Sequence, residues 1–350
     1  MYWMISDRSL PAGSTSPANF GTQRGALTYW TNEKGPADVA ASWKLLSGGD
    51  EFKNALAKVA SQFPPLGADD NNESQKHVTL FVHGYKNTWQ DEATRYKQIC
   101  DTFFTGPNSL GECVLYDWPS DGEVFDYLPD RAHARDCAND LATVLSDLYD
   151  WLVDRQQETQ VAAQKARDQG MGQTNQTGCR AKTSIIAHSM GNYLLQCAMA
   201  AVWTRKNQPL LVSLINQLLM VAADVDNDLF GSGETVDKSD GDAIANLTYR
   251  VTALYSGMDP VLGLSAGLKH FGKRRLGRSG LDHDLPVSDN VWDVDCSAFF
   301  QKNKASGIHS AYFGDPDCQK LMRALLQGVD RTVIVNNGLA PKPLAKAQQV

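Results

Sequence analysis

The chain has 350 residues, 42% hydrophobic and 21% charged, with 33 Lys+Arg against 40 Asp+Glu, so its formal net charge is −7. That composition excludes a disordered chain, and the acidic balance argues against nucleic acid or an anionic membrane surface as the main partner. The longest apolar stretch, Leu210 to Ala223, is broken by Ser213, Asn216 and Gln217, short of the roughly 20 apolar residues a spanning helix needs, so no transmembrane segment is expected.

Short apolar runs alternate with amphipathic stretches. Tyr2–Ser6 and Ala26–Thr31 read as strands, and Glu51–Phe63 as a helix stopped by Pro64-Pro65. A polar linker, Gly67–Gln75, leads to the buried-strand pattern His77–Val82. A helix follows from Trp89 to Phe104, with Asn87 or Thr88 as its cap, and then a strand, Glu112–Asp117. A long helix covers Arg131–Asp154, with polar extension and loop to Thr177 and Gly178. Further strands fall at Lys182–Ala187, Leu218–Ala223, Tyr249–Tyr255 and Asn290–Cys296, with helices at Met190–Thr204, Asp242–Leu247 and Pro316–Leu326. Strands separated by helices predict an α/β protein with a mainly parallel sheet covered on both faces. One domain is expected over residues 1–335, with a cap or flap at 260–289 between the last two strands. A polar, mobile tail is expected over 336–350.

In such sheets chemistry gathers at the carboxyl ends of the strands. After the strand ending at Ala187 comes His188-Ser189-Met190-Gly191-Asn192 and then a helix. This is a nucleophile-elbow pattern, with Ala187 and Gly191 as the small residues that let strand and helix pass closely around Ser189. The strand His77–Val82 ends in His83-Gly84-Tyr85. A glycine there lets backbone N–H groups face the nucleophile. The N–H groups of Tyr85 and Met190 are the candidate oxyanion donors, with Gly84 shaping the loop.

A serine nucleophile needs a base, and the base an orienting acid, in the chain order Ser, acid, His. His270, His283 and His309 follow Ser189. Lys269, Lys273, Arg274 and Arg275 surround His270, and Asp282 and Asp284 flank His283, so both read as surface residues. His309 lies after the last strand and before the final helix, and is the expected base. Asp224 and Asp259 both follow strands and both suit the acid. Asp259 is preferred because its loop leaves the strand nearest the His-bearing end. His188, Trp89 and Tyr193 are candidate substrate contacts beside strand ends, together with Gly84.

The segments HGYKNTW, LYDWPSDG, AHSMGNY, AADVDND and LYSGMDPVLGLS with a later RRLG resemble bacterial α/β-hydrolases of unknown function in the esterase/lipase superfamily. The resemblance runs from about His77 to Phe313. It implies the α/β-hydrolase fold, a Ser189–His309–Asp259 triad and hydrolysis of a small-molecule or lipid ester. No metal is expected: the Asp224, Asp226, Asp228 run lacks the Gly and terminal Glu of a calcium loop. GxGxxG and phosphate-cradling motifs are absent, so no nucleotide or other cofactor is expected. Seven scattered cysteines without a CxxC pair, and no apparent signal peptide, point to a cytoplasmic setting. No pattern specifies an oligomeric state.

Overall fold

The computed structural model describes residues 1–63, 72–85, 88–120, 127–168, 181–206, 213–231, 238–270 and 272–342. Nine strands form one sheet: β1 (Tyr2–Arg8), β2 (Arg24–Asn32), β3 (Lys44–Leu45), β4 (His77–Val82), β5 (Gly111–Asp117), β6 (Lys182–His188), β7 (Ile215–Val221), β8 (Thr248–Tyr255) and β9 (Val291–Asp295). Their spatial order is β3-β2-β1-β5-β4-β6-β7-β8-β9. The β1–β2 and β2–β3 pairs are antiparallel, and every pair from β1–β5 across to β8–β9 is parallel.

Alternation along each strand sorts side chains between two cores. Val78, Leu80 and Val82 of β4 face one side, with Ile185 and Ala187 of β6 and Leu218 and Met220 of β7. That side is covered by α1 (Gly49–Ala60), α3 (Tyr127–Asp168), α4 (Gly191–Lys206) and α5 (Lys238–Leu247). Phe81, Ile186 and Leu219 face the opposite core, beneath α2 (Trp89–Ile99) and α8 (Pro316–Gln327). Two-sided burial leaves β4 buried at every position and β6 at every position but its first.

Helix ends follow their caps. Thr88 closes a capping box with Asp91 at the start of α2, while Asn87 lies outside the described residues. Asp315, Pro316 and a left-handed Gly328 bracket α8. Some boundaries differ from the sequence expectation. The helix starting at Trp89 changes to a π turn at Cys100–Phe104. β7 begins three residues earlier than its apolar run, because Gln217 is buried in the sheet. α3 begins four residues before the expected Arg131, and the polar stretch after Asp154, rich in Gln and Ala, continues it to Asp168 as expected. Gly170, Gly172 and Gly178, most of the Gly67–Gln75 linker and residues 343–350 of the expected tail lie outside the described residues. The last described helix, α9 (Arg331–Asn336), reaches the start of that tail, following α6 (Pro260–Leu264), α7 (Leu276–Ser279) and α8 in the chain. Among the described residues, no helix is long and apolar enough to cross a membrane.

β1 carries a buried acid into the sheet. Asp7 accepts a 2.8 Å hydrogen bond from the Tyr116 hydroxyl, and burial pushes its carboxyl up to about 7, against the hydrogen bonds from Tyr116 and Cys137. The protonated form is therefore favoured by folding. Its contribution is fully present below the unfolded value near 4 and is lost as pH rises through the folded value. Asp7→Asn is expected to remove up to about 4 kcal/mol of this pH-dependent loss, so the variant should gain on the parent protein between pH 4 and pH 8. Unfolding profiles at both pH values check this; parallel pH dependences would mean that Asp7 is ionised in the folded state.

Candidate active site

The chain leaves β4 toward β5 on one side and returns to β6 on the other, so the ends of β4 and β6 meet at the reversal of strand order. The residues after these two strands are therefore neighbours. Ser189 follows β6 with φ 52°, in the left-handed region, and is buried. A non-glycine residue held there stores about 1–3 kcal/mol of strain and persists only where the surroundings impose it. Those surroundings are hydrogen bonds. The Ser189 N–H donates to Val221 O at 3.0 Å, and the Asp224 N–H donates to Ser189 O at 3.1 Å. Asn192 Nδ2 donates to Ala187 O at 2.9 Å and also to the Ser189 carbonyl at 3.2 Å. Gly191 is required by space: a Cβ there would lie 2.3 Å from His83 O. Gly84 also packs closely, since a Cβ on it would stand 2.9 Å from Ser189 Cβ. The loop after β4 thus lies against the elbow.

His309 lies in a 3-10 segment, Ala305–Phe313, between β9 and α8. Its Nε2 is 2.8 Å from Ser189 Oγ, and its Nδ1 is 2.7 Å from Asp259 Oδ2. A carboxylate accepts, so Nδ1 carries the hydrogen and the Nε2 lone pair faces the serine hydroxyl. Asp259 is fully buried after β8. Its second oxygen, Oδ1, caps α6 by accepting from the N–H groups of Val261 at 2.9 Å and Leu262 at 3.1 Å. The helix start therefore fixes the rotamer that presents Oδ2 to His309.

His188 supports the same histidine from behind. Its Nε2–H donates to the His309 carbonyl at 3.0 Å, and the two rings lie 5.0 Å apart. Burial, followed by the nearby His309, pushes the His188 pKa well down, so it stays a neutral donor.

Asp224 has different partners. Its Oδ1 accepts from Arg275 Nε at 2.7 Å and from the Ser265 hydroxyl at 2.9 Å, and its carbonyl accepts from Arg275 Nη2. Arg275 is completely buried and also pairs with Asp226. Around this pair, Leu276 N–H donates to Val225 O and Gly277 N–H to Ala223 O, each at 2.9 Å. Segment 274–281 is thereby pinned to the end of β7.

Ser189, His188 and His309 line a cleft of about 1150 Å³, with Tyr85, the outer face of α2 and Val261, Leu264 and Ser265 as walls. Trp89 and Tyr193 do not belong to those walls. Trp89 is buried with Nε1 against Met4 Sδ, and Tyr193 is buried beneath Arg131, its hydroxyl accepting from Arg135 at 2.8 Å. His270 is half-buried near Arg275, and His283 is exposed beside Asp293. Neither contacts Ser189. Sequence reasoning passed over Asn192, whose signal was a polar residue in the first turn of a buried helix. It also passed over Arg95 and Phe313, which carry no motif. Among the described residues, no three His, Cys, Asp or Glu side chains are grouped to hold a metal ion.

Comparisons with solved structures give remote likenesses. Lipase B from Aspergillus fumigatus is 11% identical over 96% of this chain and 71% of that one, with a TM-score of 0.39. An esterase from Pyrobaculum calidifontis is 11% identical over 80% of this chain and 91% of that one, with a TM-score of 0.34. A thermostable esterase from Pseudomonas putida ECU1011 is 8% identical over 84% and 92%, with a TM-score of 0.31. A comparison with curated proteins finds no match. A family model described as alpha/beta hydrolase of unknown function (DUF900) matches residues 65–162 and 148–290, more than half of the chain. With the sheet order and strand-end elbow described above, that match makes this chain a member of the alpha/beta hydrolase family of unknown function (DUF900).

Proposed function

We propose that this protein is a serine hydrolase of carboxylic esters that works through an acyl-enzyme on Ser189. The observation that carries the reading is the continuous relay Ser189 Oγ–His309 Nε2, His309 Nδ1–Asp259 Oδ2, with both contacts at hydrogen-bond length. Ser189 Oγ attacks the ester carbonyl while His309 Nε2 takes its proton. The tetrahedral oxyanion is held by the N–H groups of Met190 and Tyr85. His309 then returns the proton to the departing alcohol oxygen, leaving the acyl group on Ser189. Water, deprotonated by His309, attacks that acyl group, and the carboxylic acid leaves as Ser189 recovers its proton. Asp259 holds the tautomer and faces the imidazolium formed in each half-reaction. Residues 1–335 act as one hydrolase domain in this reading, with segment 260–289 as its cap and 336–350 as a tail. Val261, Leu264 and Ser265 are the cap's contribution to the cleft.

Labelling with a fluorophosphonate, followed by peptide identification, tests the nucleophile directly. Stoichiometric modification at Ser189 is expected, together with turnover of p-nitrophenyl esters. A folded protein labelled elsewhere, or not at all, would contradict the reading. Acyl transfer to an added alcohol in preference to water would convert it to an acyltransferase with the same machinery.

A further inference from the structure

Arg95 stands on the face of α2 that walls the cleft. It is half-buried, and its Nη1 donates to Gln98 Oε1 at 3.2 Å. Gln98 is itself anchored, its Nε2 donating to Phe313 O at 3.0 Å. The guanidinium carbon lies 5.3 Å from the centre of the Phe313 ring. That ring meets His188 edge-on at 5.3 Å, and His188 in turn lies against His309. Arg95 is thus a cation held in one orientation by a stack and an amide, two rings away from His309.

Its pairing differs from that of most described arginines, although Arg135 also has a neutral acceptor, the Tyr193 hydroxyl. Arg8, Arg24, Arg250 and Arg275 each lie within ion-pair distance of an aspartate, and Arg278, Arg323 and Arg331 donate to backbone carbonyls. Among the described residues, no carboxylate lies within ion-pair distance of Arg95, and one neutral amide oxygen is its hydrogen-bond acceptor. A guanidinium has five N–H donors in a planar fork, and the carboxylate that acts on this one, Glu92, does so from beyond ion-pair distance. Glu92, one turn earlier, points its Oε1 at His83 Nδ1, 3.6 Å away, and burial pushes its carboxyl up. Lys97 is engaged by Asp101 at 2.7 Å. Asp38, Asp91, Glu92, Asp101 and Asp224 also line the cleft, so a multiply charged anion meets more repulsion there than a single carboxylate does.

We propose that Arg95 is a specificity-determining residue that binds a free carboxylate on the substrate, making the preferred substrates esters that carry one such group, for example half-esters of short dicarboxylic acids. This rests on the reading of Ser189 as the nucleophile. The fork would pair with the carboxylate through two parallel hydrogen bonds and set the ester carbonyl over Ser189.

The test compares mono-p-nitrophenyl glutarate with p-nitrophenyl valerate, on the parent protein, Arg95→Lys and Arg95→Gln. The parent is expected to favour the glutarate at least ~10-fold in kcat/KM at low salt, as suits a charge-assisted pair. Arg95→Gln should lower kcat/KM for the glutarate by roughly 10–100-fold, mainly through KM, and leave the valerate within about 3-fold. Arg95→Lys, which keeps the charge but not the fork, should fall between. No preference in the parent, or equal losses on both esters, overturns the proposal. Calorimetric binding of monomethyl glutarate to Ser189→Ala, with and without Arg95→Gln, separates it from the nucleophile reading. Arg95-dependent binding without turnover of either ester would leave the carboxylate site standing and remove the esterase. Valerate turnover without preference, together with no Arg95-dependent binding, would do the reverse.

Discussion

Ser189→Ala is expected to lower kcat for p-nitrophenyl ester hydrolysis by about 10⁴–10⁶ while the protein stays folded. The size follows from how the residues share work. Once the nucleophile is gone, His309 has no proton to take, and only oxyanion donors and binding remain to speed attack by water. His309→Ala should cost nearly as much, because the serine hydroxyl then loses its base, and combining the two changes should add little. The stability effect should be small despite the strained φ of 52°, because alanine bears the same backbone restriction and the hydrogen bonds that impose it are made by Ser189 main-chain atoms and by Asn192. Steady-state kinetics with a thermal unfolding curve decide it. Near-parental turnover by folded Ser189→Ala would remove the serine from the chemistry.

The second large effect is expected at Asp259. Its two oxygens have separate partners, Oδ2 with His309 and Oδ1 with the start of α6. Asn in its place has one acceptor to share between them. If the oxygen stays on the Val261 and Leu262 N–H groups, the amide NH₂ faces Nδ1, which must then accept. The hydrogen moves to Nε2, and the imidazole loses the lone pair that takes the serine proton. Asp259→Asn should therefore lower kcat by roughly 10⁴ with KM little changed. Asp224→Asn is the comparison. It removes the charge that faces Arg275 and Ser265 while Asp226 still pairs with the cation, and should cost about 1–3 kcal/mol of stability. The carboxylate near His309 would be untouched, so kcat per folded molecule should stay close to parental. Measuring kcat and Tm on both variants separates the roles. A kinetic loss at Asp224 with none at Asp259 would transfer the acid to the earlier strand.

Much of this architecture was written locally. Short apolar-rich segments marked β4, β6 and β8 because sheet burial acts residue by residue along the strand. Thr88 was one of two residues that marked the start of a helix, because a cap satisfies its own turn. Ala187 to Gly191 announced the elbow because close passage of strand and helix demands small residues at fixed spacing around Ser189. Chain order then pointed to His309 and Asp259 over their alternatives. Other features existed only once distant segments met. Asp224 and Asp259 each follow a strand, and position along the chain gave only a preference for Asp259. What separates them is Arg275, which approaches Asp224 from 51 residues away, and His309, which approaches Asp259 from 50. Trp89 and Tyr193 sit beside strand ends as expected of cleft residues, yet their rings turn inward, since helix rotation is set by packing on the sheet and not by position along the chain. Arg95, Gln98 and Phe313 carry no motif because their arrangement spans more than 200 residues of chain. A contact of that separation is decided by which helices the sheet brings together, and only the folded molecule holds that information.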